Sequence, residues 1–323
     1  MKKSIFALAS VALMMAACTN DDQQADSPQP ILLSTGLGIG TGTRGITDNS
    51  YTGTAFSGSE TIDVNIVETD SPETPSVTYG TNGWLTATIG AGGSGATLSP
   101  VCYWPSSGAG IDIYAWYPAS TATTYWTTAH SVFKVPANQS TSGTHSAFDL
   151  MYATPAGGTG INSQTVAVSS RTSRTTAINL QFEHKLAKLV VVLAPKAEDT
   201  SITAEKLSNA TVTIGGVKTT ANVTPATGTV TASTTADTET LTVMADEAGT
   251  TGYALIPAQT LSGTLTVTLK DGGVMTASLS DFAVNAGQTN TLNVSVSITG
   301  ITVTTSILQW TTNETTGSAN LTL

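Results

Sequence analysis

Residues 291–298 read TLNVSVSI. Every second residue of this stretch is apolar: Leu292, Val294, Val296 and Ile298. A repeat of two places alternate side chains on one face of a β-strand, whereas a helix repeats about every 3.6 residues. The alternation resumes beyond Gly300 with Ile301 and Val303. This part of the chain therefore predicts strands with one buried face.

The same alternation recurs along most of the chain. It is seen at the following apolar positions: Ile62, Val64 and Ile66; Ile111, Ile113, Ala115 and Tyr117; Leu189, Val191 and Leu193; Val212 and Ile214; Leu241 and Val243; Leu265, Val267 and Leu269. Asp271-Gly272-Gly273 and Gly215-Gly216 lie between apolar positions, and each predicts a hairpin turn. No segment keeps a helical repeat over several turns. Short strands at this spacing are typical of antiparallel β-sandwiches, so the sequence predicts an all-β fold.

Composition supports this fold and excludes one class of partner. Charged residues make up only 11% of the chain, which is rich in the Thr, Ser, Gly, Ala and Val that suit strands and turns. The formal net charge is -10 at pH 7, and the chain has three Arg. An acidic surface repels phosphates, so we expect no nucleic-acid partner.

The N-terminus has the features of a bacterial export signal. Lys2 and Lys3 precede an apolar stretch over residues 5–15 that is too short to span a bilayer. Ala16 and Ala17 then lead into Cys18, as at a lipoprotein cleavage site, although Met15 stands where Leu is more usual. We expect Cys18 to carry acyl chains that hold the protein on a membrane. The alternative is an ordinary cleaved signal peptide with an incidental cysteine.

The remaining chain is long enough for two ordinary domains. Residues 1–17 are the expected signal peptide, and residues 18–44 are expected to form a tether and an N-terminal strand. A stretch rich in Gly, Ser, Thr and Arg ends near residue 176. We therefore place an N-terminal β-sandwich at residues 45–176 and a C-terminal one at residues 177–323.

Few residues lie in a pattern typical of a catalytic, phosphate-binding or metal-binding site. The three histidines, His130, His145 and His184, lack metal-ligand spacing, and no Gly-x-Ser-x-Gly nucleophile motif occurs. Two Gly-x-Gly-x-x-Gly matches, at residues 40–45 and 90–95, are not followed by a helical pattern that could bind phosphate. The carboxylates are scattered. We expect no enzyme activity, no cofactor and no metal site.

Two residues with reactive side chains have apolar surroundings. His184 shares its expected strand face with Phe182 and Leu186, which favours a structural histidine over a catalytic one. Cys102 is the only cysteine left once Cys18 is lipidated, so no disulfide within the chain is expected. Its neighbours favour a buried, inert thiol.

Four of the five tryptophans lie in the first half of the chain: Trp84, Trp104, Trp116 and Trp126. Such rings could form a platform that stacks against sugars, or they could fill a sandwich core. Alternation places Trp116 opposite Ile113, Ala115 and Tyr117, so we expect only one of these two sets to be buried. A surface lipoprotein that binds glycans is therefore an alternative function.

Several local motifs occur together in a specific order. They are YWP at 103–105, IDIYAWYP at 111–118, DLMYA at 149–153, FEHKLAKL at 182–189, AGQ at 286–288 and the stretch 301–310. In this order the chain resembles the fimbrillin family, the subunits of the type V pili of Bacteroidota. The acidic and polar residues 19–24 also resemble the surface-export tag of Bacteroidota lipoproteins. The resemblance covers nearly the whole chain.

The resemblance implies two tandem transthyretin-like antiparallel β-sandwich domains after a lipoprotein signal peptide. It implies lipid-anchored export to the surface of the outer membrane, followed by proteolysis after an Arg or Lys near the N-terminus. Arg44 fits this role because it is the only Arg before Arg171, and it follows the strand-like run 31–35 and precedes Gly45. Cleavage would remove the first strand and leave a groove for a strand of another fimbrial subunit.

The C-terminus supplies the expected donor strand. Ala319, Leu321 and Leu323 belong to one candidate donor, in which Leu321 and Leu323 would face the groove. The stretch 306–310 is a second candidate donor. Pairing within its own domain is the alternative for this terminal strand. The expected function is a structural one that supports adhesion from a fimbria. An anchor or tip subunit that escapes cleavage would have the same sequence features.

Overall fold

The structure is a computed structural model that describes residues 29–37, 56–68, 79–80, 83–93, 95–105, 110–141, 143–156, 165–166, 176–197, 199–245, 249–309 and 321–322. Within these residues the chain is almost entirely strand and turn, which confirms the all-β prediction. Helical structure there is limited to the 3-10 turns Ala91–Gly93 and His145–Phe148 and the helix α1 (Ala204–Leu207). None of the described helices has the length and apolar character needed to cross a membrane.

The strands of the first half are β1 (Leu33–Leu37), β2 (Thr61–Glu68), β3 (Trp84–Ile89), β4 (Gly95–Ser99), β5 (Ile111–Tyr117), β6 (Trp126–Thr128), β7 (Val132–Lys134), β8 (Met151–Pro155), β9 (Thr165–Val166) and β10 (Ile178–His184). The strands of the second half are β11 (Ala187–Pro195), β12 (Thr211–Val217), β13 (Thr220–Thr224), β14 (Thr229–Ala232), β15 (Glu239–Thr242), β16 (Met244–Ala245), β17 (Thr251–Ile256), β18 (Gln259–Leu261), β19 (Thr264–Thr268), β20 (Val274–Ser278), β21 (Phe282–Val284), β22 (Gln288–Ser297), β23 (Gly300–Gln309) and β24 (Leu321–Thr322).

The first half is built on an eight-stranded sheet that closes on itself. The strands follow the order β2-β3-β4-β1-β10-β8-β5, and β5 pairs back onto β2 in antiparallel fashion. The short β9 pairs with β5 beside β8. Inward side chains, among them Ile62, Val64 and Leu180, form a single core that is closed to solvent. Because the sheet is closed, each strand of the ring has a partner on both sides.

The second half places two sheets face to face. One has the order β16-β17-β11-β22-β23-β24, and the other has the order β15-β12-β19-β20. Leu292, Val294 and Val296 all point into the core between the sheets, as the alternation in this stretch predicts. Most pairs are antiparallel, but β1 runs parallel to β10 and β11 runs parallel to β22. The chain passes from the first sheet to the second between His184 and Ala187, which is later than residue 176.

A third core joins the two halves. Strand β7 pairs with β13, so that a four-stranded sheet with the order β14-β13-β7-β6 runs across the junction. Trp116, Phe133 and Phe148 from the first half pack with Val223 and Leu255 from the second. The halves therefore share both backbone pairing and a buried apolar cluster.

The shared core corrects one prediction. The faces of β5 were expected to be alternatives, with only one set of side chains buried, yet both are buried. Ile113 and Tyr117 lie in the core of the closed sheet, whereas Tyr114 and Trp116 lie in the core between the halves. Alternation predicts two faces correctly, but a second layer of structure covers the face that would otherwise meet solvent.

Of the two hairpin turns predicted at glycine pairs, one is confirmed and one is wrong. Asp271-Gly272-Gly273 forms the predicted hairpin between β19 and β20, where Gly272 has a φ of 90° and the N–H of Leu269 donates to the carbonyl of Gly273 at 2.7 Å. The predicted turn at Gly215-Gly216 is wrong. This pair lies inside β12, where the register shifts between Ile214 and Val217 as at a β-bulge.

Candidate functional site

The first strand, β1, fills a gap in the closed sheet. Leu33 to Leu37 pair in parallel with Ile178 to Phe182 of β10, and Leu33 and Ser34 pair antiparallel with Ala96 and Gly95 of β4. In the described pairing β4 and β10 have no direct contact through a ladder, because β1 lies between them. Removing this strand would leave two facing sheet edges.

The pairing continues on the N-terminal side of β1. The N–H of Ile31 donates to the carbonyl of Cys102 at 2.8 Å, and the N–H of Trp104 donates to the carbonyl of Gln29 at 2.9 Å. On the other side the N–H of Ile178 donates to the carbonyl of Leu32 at 2.8 Å. Residues 29–37 therefore form one extended segment that is held along both edges.

Side chains of this segment alternate between core and solvent. Ile31 and Leu33 are each 5% exposed and belong to the core of the closed sheet, whereas Leu32 is 43% exposed. Thr35 is also buried, and its hydroxyl donates to the carbonyl of Gly93 at 2.8 Å. Burying Ile31 and Leu33 contributes about 1.5–3 kcal/mol each. The first strand is thus part of the hydrophobic core.

Gly93 lies in the second Gly-x-Gly-x-x-Gly match, which the structure shows to be a turn. The N–H of Gly90 donates to the carbonyl of Gly95 at 2.7 Å, and Gly92 and Gly93 have positive φ values of 78° and 70°. A Cβ at Gly93 would lie 2.4 Å from the carbonyl oxygen of Phe56. The glycines therefore serve a tight β3–β4 connection that carries the acceptor for Thr35.

Residues on both sides of the predicted cleavage position contact the same residue, Phe182. Leu37, the last residue of β1, pairs with Phe182, and the ring of Phe56 packs edge-on against that of Phe182 at 5.1 Å between centroids. Arg44 and Gly45 lie between these two anchored positions but outside the described residues, as does Cys18.

The C-terminal strand is paired within its own half. β23 pairs with β22 over its whole length, from Gly300 opposite Ser297 to Gln309 opposite Gln288. On its other edge the described pairing is with β24, where Leu321 lies opposite Thr305. Ala319 and Leu323 lie outside the described residues. In this monomer Leu321 therefore lies on the edge of its own sheet.

The four tryptophans of the first half do not form an exposed stacking platform. Trp104, Trp116 and Trp126 are 5%, 0% and 7% exposed, and Trp84 is half-buried against the ring of Tyr114. Two of the indoles make hydrogen bonds that fix the fold: Trp116 Nε1 donates to the carbonyl of Pro225 at 3.1 Å and Trp126 Nε1 to that of Pro118 at 2.9 Å. Three of these rings are buried in cores, and Trp84 packs half-buried against one of them, so they do not present an exposed stacking surface.

Polar contacts strengthen the junction between the halves. Gln139 is buried, and its side chain both accepts from the N–H of Leu255 and donates to the carbonyl of Leu255, each at 2.8 Å. The hydroxyl of Tyr152 donates to the carbonyl of Ala226 at 2.9 Å. Lys134 and Glu239 form an ion pair at 3.1 Å, with the pKa of Glu239 lowered chiefly by the hydroxyl of Thr219.

The three histidines have structural surroundings. His184 Nδ1 lies 3.0 Å from the buried carboxylate of Asp149, as expected for a structural histidine. His145 is 1% exposed, and burial lowers its pKa to about 4 despite the attraction of Asp149. His130 stacks on Trp84 with 3.7 Å between ring centroids and contacts Asp63 at 2.7 Å. Within the described residues no group of three or more His, Cys, Asp or Glu side chains could hold a metal ion.

Sequence reasoning did not find some of these contacts. The Asp63 carboxylate is buried beneath His130 and accepts from the N–H of Ser120 at 2.6 Å. Burial alone would raise the pKa of Asp63, but the hydrogen bonds to His130 and Ser120 together outweigh it and lower that pKa. Asp63 lies between Ile62 and Val64, on the strand face that alternation predicts to be exposed. Its burial could therefore not be predicted from local spacing. Cys102 is buried as expected, and burial raises the pKa of its thiol.

Comparisons with known proteins agree with this architecture. A protein from Bacteroides ovatus, described as a candidate cell adhesion protein, superposes with a TM-score of 0.65 at 16% identity, over 90% of this chain and 100% of that one. Another of the same description, from Bacteroides uniformis, gives 0.60 at 21% identity, over 87% and 98% of the two chains. At these identities the likeness shows the fold. No curated protein matches the chain by sequence.

The sequence itself matches a family model. The model describes fimbrillin-like proteins, and the match extends over residues 43–310. It begins just before Arg44 and ends one residue beyond β23, so it includes the shared core and most of both halves, but neither β1 nor β24. With this match, the chain belongs to the fimbrillin-like family.

Proposed function

We propose that the chain is a structural, non-enzymatic subunit of a cell-surface fimbria. It is exported as a lipoprotein attached to the outer membrane through Cys18 and is cleaved between Arg44 and Gly45. It then polymerises by exchanging its first strand for a strand of another subunit. Family membership supports the fimbrial assignment, and the fimbria would support adhesion to a surface.

One observation carries the exchange mechanism. β1 is the strand that separates β4 from β10 in the closed sheet, and it precedes the only Arg in the first part of the chain. Loss of residues 18–44 would unpair two strand edges and uncover the sites filled by Ile31 and Leu33. An extended strand from another copy can restore both hydrogen-bond ladders and fill the same apolar sites.

The donor belongs to the C-terminal part of the chain. The sequence-based candidate is the segment of Ala319, Leu321 and Leu323, with Leu321 and Leu323 facing the groove. The described end of this segment pairs at a sheet edge through two residues, Leu321 and Thr322. Few backbone hydrogen bonds, each worth about 0.5–1.5 kcal/mol net, would be lost when it leaves that edge.

Blocking the cleavage tests the proposal most directly. Arg44→Ala should give a folded, exported monomer that does not polymerise, because β1 stays covalently attached and keeps its place. Arg44→Lys is the matched control and should retain cleavage and assembly. Unheated gels report the polymer ladder, and N-terminal sequencing of protein sheared from cells reports the cut. A ladder that survives Arg44→Ala would refute Arg44 as the switch.

The lipid anchor has a separate test. Cys18→Ala should remove labelling by a fatty-acid probe and stop delivery to the surface, since one thioether carries the whole attachment. Equal labelling of the two proteins would exclude the lipoprotein assignment. If wild-type protein sheared from cells still carries acylated Cys18, the subunit is an unprocessed anchor or tip.

A further inference from the structure

We propose that an exposed apolar patch beside β1, formed by Leu32, Val101 and Tyr103, rests on the lipid bilayer that holds Cys18. This contact would orient the subunit before cleavage. The inference rests on the proposed lipid anchor and assigns the surface of the protein body that faces the membrane.

The three side chains belong to two segments that pair with each other. Pro30 pairs with Tyr103 in an antiparallel bridge, and backbone hydrogen bonds lie on either side of this bridge. Continuing the same register places Leu32 across from Val101. Because every second residue of an extended segment shares a face, these four residues form one continuous strip.

This strip is exposed, whereas the opposite face of both segments is buried. Leu32, Val101 and Tyr103 are 43%, 54% and 47% exposed. Their neighbours Ile31 and Cys102 belong to the core of the closed sheet and are 5% and 7% exposed. Six large apolar side chains are exposed among the described residues, and three of them lie together here. The patch is therefore more than the single apolar residues that any surface carries.

The backbone under the patch is fixed by a side chain. The hydroxyl of Tyr79 donates to the carbonyl of Tyr103 at 2.9 Å. Burial raises the pKa of Tyr79 to about 12, so this hydroxyl keeps its proton and remains a donor at neutral pH. The patch is thus presented in one arrangement, and binding does not have to order it first.

The segments that carry the patch are uncharged. Residues 27–43 and residues 74–111 contain no Asp, Glu, Lys, Arg or His, although the formal net charge of the chain is -10. Glu68, whose charge acts on nearby Tyr79, is buried. Anionic lipids repel an acidic surface, so an uncharged surface is the one that such a protein can bring to a membrane.

The place of the anchor favours a bilayer as the occupant. Ten residues separate Cys18 from Gln29, where the described chain begins, and they reach roughly 40 Å at full extension. Leu32 follows three residues later. A short linker keeps the two binding elements at effective concentrations on the order of mM. A patch too small to hold a free protein on a membrane is therefore sufficient for a tethered one.

The side chains also suit the boundary between headgroups and acyl chains. Leu32 and Val101 can enter the acyl region, while Tyr103 carries an apolar ring with a polar hydroxyl, the combination enriched at membrane interfaces. The proposed cleavage after Arg44 would remove Leu32 together with the acyl chains and leave Val101 and Tyr103 on the subunit. One cut would thus end both membrane attachments.

Quenching by a lipid-borne nitroxide tests the orientation. The full-length lipidated protein with Arg44→Ala is placed in phosphatidylcholine vesicles that contain nitroxide-labelled lipid. A fluorophore is attached to Ser99→Cys or to Ser201→Cys in a Cys102→Ala background. Both serines are exposed; Ser99 lies beside the patch, and Ser201 follows the end of β11 that points away from the first half. The label at Ser99 should be quenched about twofold or more strongly, and equal quenching would refute the proposal.

Substitutions then test the patch itself. Leu32→Ser, Val101→Ser and Tyr103→Ser together should reduce quenching at the Ser99 site to the level at the Ser201 site. The matched control is Val274→Ser with Ile298→Ser, since these residues are 61% and 69% exposed and lie outside the patch, and it should change nothing. A single Val101→Phe should increase quenching, which keeps the test decisive if the triple variant does not fold.

The remaining outcomes separate the patch from the anchor. Quenching that the triple variant leaves unchanged would refute the patch and leave the lipid anchor standing. A label at Ser99 that is shielded only at high protein density would show that a second copy, and not the bilayer, covers the patch. Protein that takes up no fatty-acid probe and leaves the vesicles would overturn the anchor, and this inference with it.

Discussion

The two halves of the molecule complete their sheets in different ways. The first half closes one sheet into a ring, and β1 occupies the last place between β4 and β10. The second half leaves its sheets open and ends on β23 and β24 at an edge. A ring depends on each of its strands, whereas an open sheet can lose an outer strand with less disturbance. The first strand thus closes a ring, whereas the last long strand, β23, lies near the open edge of its sheet.

The junction between the halves gives the largest expected effect. Phe133→Ala should cost about 3–5 kcal/mol, because Phe133 is fully buried in the core that both halves share. Native-state hydrogen exchange should show lower protection in β2 and in β11 alike. Tyr103→Ala is the control, since Tyr103 is 47% exposed and its loss should change stability by about 0.5 kcal/mol or less. Loss of protection in the first half alone would mean that the halves unfold independently.

Two substitutions by Ala measure how much the first strand and the last long strand each contribute to stability. Leu33→Ala should destabilise the uncleaved protein by about 2–5 kcal/mol, because it empties a site in the closed core. Val303→Ala should cost only about 1 kcal/mol, because Val303 is half-buried at an open edge. Denaturant unfolding of the purified monomer gives both values. Equal losses would remove the contrast between ring and edge.

A third prediction concerns the effect of acidic pH on the stability of the junction. Burial lowers the pKa of His145 from 6.5 to about 4, so between these pH values the unfolded chain binds a proton that the folded chain does not. Stability should therefore fall as the pH falls from 6.5 to 4, by up to about 3 kcal/mol from this group, at about 1.4 kcal/mol per pKa unit. The measurement is the free energy of unfolding across this pH range.

His145→Gln is the matched variant for that test. It removes the titrating group, while Asp149, Lys188 and the other charges nearby remain. The difference in stability between the two proteins should therefore change with pH by the amount due to His145 alone. Parallel curves for wild type and variant would show that His145 is not the group responsible.

The smallest expected effect belongs to the ion pair across the junction. Lys134 and Glu239 are 43% and 32% exposed, and partly exposed pairs contribute about 0–1 kcal/mol. Glu239 also accepts from Thr219, so a single substitution of Glu239 measures more than the pair. A double-mutant cycle with Lys134→Ala and Glu239→Ala isolates the coupling. A coupling above about 2 kcal/mol would make the pair a main support of the junction.

Sequence reasoning predicted what depends on local alternation. Leu292, Val294 and Val296 face one core as their spacing requires. The strand-like run 31–35 overlaps β1, which lies two residues later, at Leu33–Leu37. His184 pairs with Asp149, as suits a structural histidine. Its expected neighbours on one face, Phe182 and Leu186, lie in different cores. In these cases the signal lies within a few residues of the feature it predicts.

What escaped prediction depends on contacts between distant parts of the chain. Trp116 was expected to compete with Ile113 for burial, yet Val223 and Leu255 of the second half cover it. Gly215 and Gly216 look like a turn, but Gly263 lies so close that a Cβ on it would meet the carbonyl of Gly215. The acceptor of Thr35 lies far along the chain, at Gly93. None of these partners can be identified from local spacing.

The four-stranded sheet across the junction also determines where a filament of such subunits can flex. Bending one subunit would require Phe133 and Ala221 to separate and Trp116 to leave the carbonyl of Pro225. These contacts act together, so the junction resists bending within one subunit. The elasticity of the assembled fibre would then arise at the joints between successive copies, and its persistence length would report on those joints.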